Sequence, residues 1–455
     1  MVSSKHGRLA TVISEMATDD DEAYAVEVQE SEGQVNADFT IGADVATAIS
    51  LQANSGVSSN GMMLASAGFF ITPERAQQLG HGTLPDLTDR IRPYRNGRDL
   101  TAQPRGVLLI DLFGLDEAQV ITRFPSLYQH VYTYVKPDRD QNNRKKLREI
   151  WWQFGETRKG LRAATKSLNR YIATVETAKY RIFQFVEAEV VPDHKIVAIA
   201  LDDAYHLGVL SSQIHVLWAL AAGSLLGPTP VYPSSRCFQP FPFPNVTPQQ
   251  QAHIRELAEQ LDAHRKRQQA LHPVLTLTDL YNVVDKLRAG EPLTAKDQIA
   301  HQLGLASVVL SLHQQLDAAV AEAYGWPVDL PDAEILTRLV RLNHERAREE
   351  QNGLVRYLRP SYQAPDQAQA TIQMPAATTV VNDTAIAAAP LPWATELAQQ
   401  MQAVREAVQQ AGQPLTPAQV AARFQRIKPQ KVQPLLDTLA ALSLLRLTEE
   451  GTYAS

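Results

Sequence analysis

The 455-residue sequence contains a single cysteine, Cys237. One thiol excludes an internal disulfide framework and a multi-thiolate metal site, and it suits a reducing cytoplasm. Long apolar runs are also missing. The longest, around "VLWALAAGSLL" from Val216, is too short to span a bilayer, so no membrane partner is expected. The opening "MVSSKHGRLATVISEMATDDDEAY" lacks the apolar stretch of a signal peptide. Two prolines never stand side by side, which removes the Asn-Pro-Pro-aromatic motif that grips a flipped base during amino methylation. There is no Walker loop, no Gly-x-Ser-x-Gly elbow, and no His-Glu-x-x-His among the twelve histidines. The one Gly-x-Gly, Gly80-His81-Gly82, does not read as a strand–loop–helix cofactor cradle. Glu176-Thr177-Ala178-Lys179 has the wrong spacing for the Glu-x-Lys of a metal-dependent nuclease and reads as structural. No catalytic residue, bound cofactor or metal ligand is therefore expected in this chain. A self-sufficient hydrolase or nuclease has no constellation to rest on.

What is present is a globular composition, 44% apolar and 20% charged, long enough for two to four domains. The net charge of −6 argues against a protein that coats nucleic acid over its whole surface, but the charge is unevenly spread. Residues 19–32 hold seven acidic groups and no basic one, whereas residues 88–106 hold five arginines against two aspartates. Lys136 to Lys166 holds ten basic groups against four acidic ones. Such a stripe suits either a polyanion binder or a solvated helix face.

The pattern predicts an α+β protein. Residues 1–40 combine short β-like pieces, "LATVIS" and "YAVEVQ", with an acidic loop. Residues 41–245 read as mixed α/β. "GVLLIDLFG", the start of "YIATVETAKYRIFQFV" and "HKIVAIALDD" are expected strands, and "AYHLGVLSSQIHVLWALAAG" is an expected helix ending on Gly223. "YPSSRCFQPFPFPNV" is expected to be extended and irregular. From Thr247, a Thr cap followed by Pro248 opens an α-helical region of about five helices over 246–359, with Ile254, Leu257 and Leu261 on one face. Residues 360–391 have linker composition. Residues 392–455 read as helix, helix, helix, then a hairpin around Glu449-Glu450-Gly451, which is winged-helix order. Only Lys428 and Lys431 lie near its third helix, which favours protein contact over groove insertion.

Several of these segments, in this order, resemble one family: "GADVATAISLQANSGVSSNGMMLASAGFFIT", "IRPYRNGRDLTAQPRGVLLIDLFG", "REIWWQFGETR", "RYIATVETAKYRIFQFV", "RCFQPFPFP" and "IRELAEQLDAHRKRQQALHPVLTLTDLYNVVDKLRAGEPLT". Together they look like the C-terminal part of MmeI-like class I SAM-dependent, adenine-specific DNA methyltransferases of restriction–modification and phage-defence systems. In that family a methyltransferase domain precedes a target recognition domain and a helical C-terminal region. "HGRLATVISEM" resembles the last strand of the methyltransferase domain, so residues 1–40 read as its remnant and a linker. The cofactor loop and the Asn-Pro-Pro-aromatic motif have no counterpart here.

The resemblance implies that residues 41–245 read double-stranded DNA and present a target base to a SAM-dependent domain, on a separate methyltransferase polypeptide. A non-catalytic specificity or assembly subunit, or a truncated inactive homologue, is the alternative. Arginine can grip guanine bidentately, and any cation can hold phosphate. On that basis the expected DNA contacts are Arg92, Arg95, Arg98, Arg105, Arg144, Lys145, Lys146, Trp152, Arg158, Lys159, Arg170, Lys179, Arg181 and Arg236. In "IRPYRNGRDL" the Asn96-Gly97 pair suits a turn, and Asp99 is expected to hold one of Arg92, Arg95 and Arg98. If Trp151 and Trp152 lie in a strand, they face opposite ways, one to the core and one to the basic surface. His215, Trp218 and Cys237 read as packing groups.

Overall fold

The computed structural model describes residues 5–17, 24–35, 42–365, 393, 397–409, 414–425, 427–441, 445–448 and 452–454. The chain divides into two compact units, Met1–Ile372 and Gln373–Ser455.

The first unit opens with an antiparallel ribbon, β1 (Lys5–Ala17) and β2 (Tyr24–Val35). The acidic residues 19–22 between them lie outside the described residues. The strands that follow are β3 (Ser58–Asn60), β4 (Phe70–Ile71), β5 (Ile91–Arg95), β6 (Leu108–Ile110), β7 (Arg170–Val175), β8 (Gln184–Glu187), β9 (Val191–Pro192), β10 (Ile196–Ile199), β11 (Ser224–Leu226) and β12 (Thr229–Val231). Eight of them build two sheets. The order β3-β10-β7-β8 is antiparallel throughout, and β4-β6-β5-β9 is antiparallel except for the β5–β9 pair. The expected strands "GVLLIDLFG" and "HKIVAIALDD" supply β6 and β10, and all four residues of β10 are buried. Continuous apolar runs of this length suit strands covered on both faces. A shared core of Phe69, Ile91, Leu109, Tyr171, Val191 and Ala198 joins the two sheets.

Short helices connect and cover them: α1 (Pro73–Gln78), α2 (Gly97–Thr101), α3 (Glu117–Arg123), α4 (Pro125–Tyr134), α5 (Lys136–Asp140), α6 (Lys145–Glu149) and α7 (Lys159–Thr165). The helix expected in "AYHLGVLSSQIHVLWALAAG" is two, α8 (Ala204–Ser211) and α9 (Gln213–Ala222), because Ser212 is extended at φ −72° and ψ 155°. Gly223 does end α9, but at φ −71° it is not a left-handed cap. Its glycine is demanded by space instead, since a Cβ would stand 2.6 Å from the carbonyl oxygens of both Ala219 and Val231. One turn, α10 (Ser234–Cys237), interrupts the otherwise irregular Pro-rich segment.

The helical region comprises α11 (Pro248–Leu271), α12 (Leu277–Ala289), α13 (Ala295–Gly304), α14 (Ala306–Tyr324) and α15 (Asp332–Gln351). Thr247 and Gln250 form a reciprocal capping box around Pro248, and Ile254, Leu257 and Leu261 are buried on one face of α11. This region shares a core with the mixed part: Ile182, Val209 and Trp218 pack in the same cluster as Leu261, Leu280 and Leu316. Residues 360–365, expected within a linker, still belong to this unit. There α16 (Pro360–Gln363) is fixed by Arg359, which donates to the Ala164 and Ala200 carbonyls, and by Gln363, which donates to those of Ala53 and Ser55. Residues 366–391 lie outside the described residues.

The second unit runs α17 (Leu397–Gln409), α18 (Pro417–Ala422), α19 (Pro429–Ala441), β13 (Arg446–Leu447) and β14 (Tyr453–Ala454). This is the helix, helix, helix, hairpin order read from the sequence. Val404, Val420, Phe424, Leu436 and Tyr453 form its core. The Glu449-Glu450-Gly451 turn lies outside the described residues. No helix among the described residues is long and apolar enough to cross a membrane.

Candidate nucleic-acid interface

Five segments distant in sequence meet at one end of the sheet β3-β10-β7-β8. Asn60, the last residue of β3, donates to Glu176 Oε1 at 2.9 Å and to the His194 carbonyl at 3.0 Å. Glu176, just past β7, also accepts from Lys195 Nζ at 3.1 Å. Gly61 touches the chain before β10, where a Cβ would lie 2.3 Å from the carbonyl oxygens of Pro192 and Asp193. Only glycine permits that approach. The Gly61 carbonyl in turn accepts from Arg158 Nε at 3.1 Å, which fixes the start of α7 and its exposed Lys159. Helix α2 closes the cluster by packing Gly97 on Val175. Asp193 completes this frame, lying 3.0 Å from His194 Nδ1 and accepting from the Lys195 amide, and the segments that meet here carry the exposed Arg98, Lys159, Lys179 and Lys195. Lys195 and His194 were not singled out from the sequence, where each is a lone polar residue beside a strand.

The "IRPYRNGRDL" segment is built differently from the expectation. Asn96-Gly97 is not a turn between strands. Asn96 caps α2, accepting from the amides of Arg98 and Asp99, while the Asp99 carboxylate accepts from the Asn96 amide. Asp99 holds none of Arg92, Arg95 and Arg98. Its carboxylate takes Arg105 in a fork, with Nε and Nη2 both at 2.8 Å. Those hydrogen bonds outweigh the effect of burial and hold the Asp99 carboxyl below its usual range.

Most of the expected contacts among the arginines are consumed internally. Arg92 donates to the carbonyls of Glu189 and Ala188 and lies 3.4 Å from the buried carboxylate of Asp111. Arg162 takes the same carboxylate at 2.7 and 3.1 Å and lies over the Phe113 ring. Arg95 pairs with Glu187. Arg158 pairs with Glu156. Arg170 pairs with Glu259 of α11 and stacks over Phe185, its centre 3.6 Å from the ring. Arg181 is half-buried against the carbonyls of Val175 and Pro230, and desolvation lowers its pKa. Trp152 cannot stack on DNA. It is 8% exposed, lies in a turn after α6 rather than a strand, and its indole N–H donates to the Leu115 carbonyl at 3.0 Å. Trp151 is buried beside it.

The basic run from Lys136 to Lys166 is therefore not one continuous stripe. Arg139 is fully buried, donating to the carbonyls of Leu64 and Gln153. Among the expected contacts, the exposed cations with neither an ion pair nor a side-chain hydrogen bond to the described residues are Arg98, Arg144, Lys146, Lys159 and Arg236. Lys145 makes only an exposed pair with Glu149, and Lys179 donates to Asn282. Lys166 lines a cleft of about 380 Å³ together with Arg92, Phe113, Arg162 and Tyr171. Behind the loops, His215 lies 2.9 Å from the Tyr232 hydroxyl, and Trp218 donates to the Cys237 carbonyl. Burial pushes His215 down to about 3 and the Cys237 thiol up to about 12, so both act as packing groups. Gly80-His81-Gly82 leaves helix α1 at φ +100° and +84° instead of following a strand, so it does not fit a cradle for S-adenosylmethionine.

The family model of the MmeI target recognition domain matches residues 48–245. Over those residues the chain is similar to an MmeI-type target recognition domain. All the loops described above, and both sheets, fall inside that segment. A solved structure described as the type IIL restriction–modification enzyme MmeI in complex with DNA superposes with a TM-score of 0.54 at 18% identity. The likeness covers 71% of this chain and 40% of that one, so the chain spans well under half the length of that enzyme. At this identity the shared property is the fold. No curated protein sequence matches the chain.

Proposed function

We propose that the MmeI-type recognition domain of this chain docks on duplex DNA and reads its sequence for a site-specific, adenine-specific methyltransferase of the restriction–modification type. The observation that carries this reading is the family match over residues 48–245. The exposed Arg98, Lys159, Lys179 and Lys195, carried on segments that meet at one end of its first sheet, agree with it. In this reading those cations fix the register on phosphates, and loops among them reach base edges. The target adenine is handed to a SAM-dependent catalytic domain outside these residues, carried by a separate polypeptide. S-adenosylmethionine supplies the methyl group there.

The test is selection of 40-bp duplexes with randomised centres by the purified chain. One recurrent sequence should be enriched, and its affinity should fall steeply with salt, as it must when cations displace counterions from phosphate. Recovery of unrelated sequences, or binding indifferent to salt, would refute the reading. Adding a cognate methyltransferase polypeptide and labelled S-adenosylmethionine should then place methyl groups on adenine within the selected site.

A further inference from the structure

The hairpin β11–β12 presents the most exposed large apolar side chains described in the recognition domain. Leu225 and Leu226 are 70% and 67% exposed, and Leu220, near the end of α9, is 52% exposed. Ser224 to Pro228 are all exposed, and the two-residue Gly227-Pro228 loop closes the tip with Gly227 at φ +58°. The base, by contrast, is fixed. Val231 bridges to Thr177, the Ala178 amide donates to the Pro230 carbonyl, and the Tyr232 amide donates to that of Glu176. Tyr232 itself is fully buried. Gly223 lets α9 turn directly into the first strand. Leucines held in water on an anchored stem are unfavourable unless a partner covers them.

The surroundings say which partner. The stem is bonded to the segment 176–178, so it rises from the loop cluster that carries Lys179, Lys195 and Arg98. A phosphate-rich surface complements that charge. Apolar side chains flanked by phosphate-gripping cations are how proteins prise base steps apart. We infer that Leu225 and Leu226 form a wedge that enters the DNA duplex and unstacks one base step, kinking the helix where the target is opened. This rests on the DNA-recognition reading above and adds a deforming element to it.

The test uses the full chain and the duplex recovered by the selection. The duplex is end-labelled for energy transfer and substituted with 2-aminopurine at each step in turn. Wild type should shorten the end-to-end distance and brighten 2-aminopurine at one step. Leu225→Ser with Leu226→Ser should abolish both signals and weaken binding about tenfold or more, the equivalent of losing one well-buried side chain. The salt slope should stay unchanged, because no phosphate contact is lost, and the melting temperature should hold, because both side chains are two-thirds exposed or more. Methionine at both positions should restore the signals. A wild-type complex with straight, fully stacked DNA overturns the wedge while leaving sequence recognition intact. So does a double serine variant that deforms DNA as wild type does, or a loss traced to the salt slope. Failure of the selection itself would sink the recognition reading, and the wedge with it.

Discussion

Replacing Asp111 with alanine tests whether Arg92 is scaffold or reader. The Asp111 side chain is 3% exposed and faces two guanidiniums, Arg162 at 12% and Arg92 at 22% exposure. It accepts two hydrogen bonds from Arg162, one from Arg92 and one from the Phe113 amide. Its removal leaves two like charges side by side at the wall of a cleft where both are largely shielded from solvent. Stripping one partner from such a buried arrangement costs about 3–5 kcal/mol. For a unit of this size that corresponds to a melting temperature about 10 °C lower. Asn in place of Asp keeps part of the hydrogen bonding and should lose less. Lys145→Ala, which breaks an exposed pair, should cost about 1 kcal/mol or less and serves as the reference. Melting curves followed by circular dichroism give the comparison. If Asp111→Ala melts with the Lys145→Ala control yet loses DNA affinity, the carboxylate positions Arg92 for DNA, and the assignment of Arg92 to the scaffold is wrong.

Arg98→Ala and Lys159→Ala should each flatten the plot of log affinity against log salt by about 0.9 with no change in melting temperature; an unchanged slope removes that residue from the interface. Asn96→Ala should cost about 1 kcal/mol through loss of the α2 cap and weaken DNA binding indirectly, by freeing Arg98 from its place; equal affinity at full occupancy would show that α2 does not position Arg98. His215 and His313 are held neutral by burial, each pushed down to about 3, whereas an unfolded histidine titrates near about 6.5. The unfolded chain therefore takes up protons first, so stability is complete above about pH 6.5 and falls as pH drops toward 3. His215→Gln with His313→Gln should make the decline of melting temperature with acid shallower, and a decline as steep as in wild type would contradict that origin.

Helix starts were legible in the sequence because their signals are local. The Thr247 cap before Pro248 is present, and the structure adds a reciprocal bond to Gln250. Apolar strands such as Ile196–Ile199 were legible because both faces are covered. The fate of the cations was not. Whether Arg162 meets solvent or Asp111, fifty-one positions away, depends on how two sheets pack, and no local pattern encodes it. The same holds for Arg139, whose carbonyl partners sit at Leu64 and Gln153, and for Arg170, whose partner lies in α11. Asp99 chose Arg105 over nearer arginines because the α2 helix, read from the sequence as a turn, brings residue 105 back beneath residue 99.

If the domain reads DNA as proposed, the seam along α11 bears on how a new specificity would be installed. Arg255 grips Asp203, Glu259 grips Arg170, Asp262 accepts from the Phe185 amide, Arg265 donates to the Phe183 carbonyl and Gln269 to that of Thr101. Every second turn or less, the helix beyond the matched segment reaches back into it. A gene exchange that cut near residue 245 and installed a foreign recognition domain would strand these side chains against an unfamiliar surface. Successful recombinants should therefore inherit α11 together with the domain it clasps, so that the unit passed between lineages is longer than the part that reads the sequence.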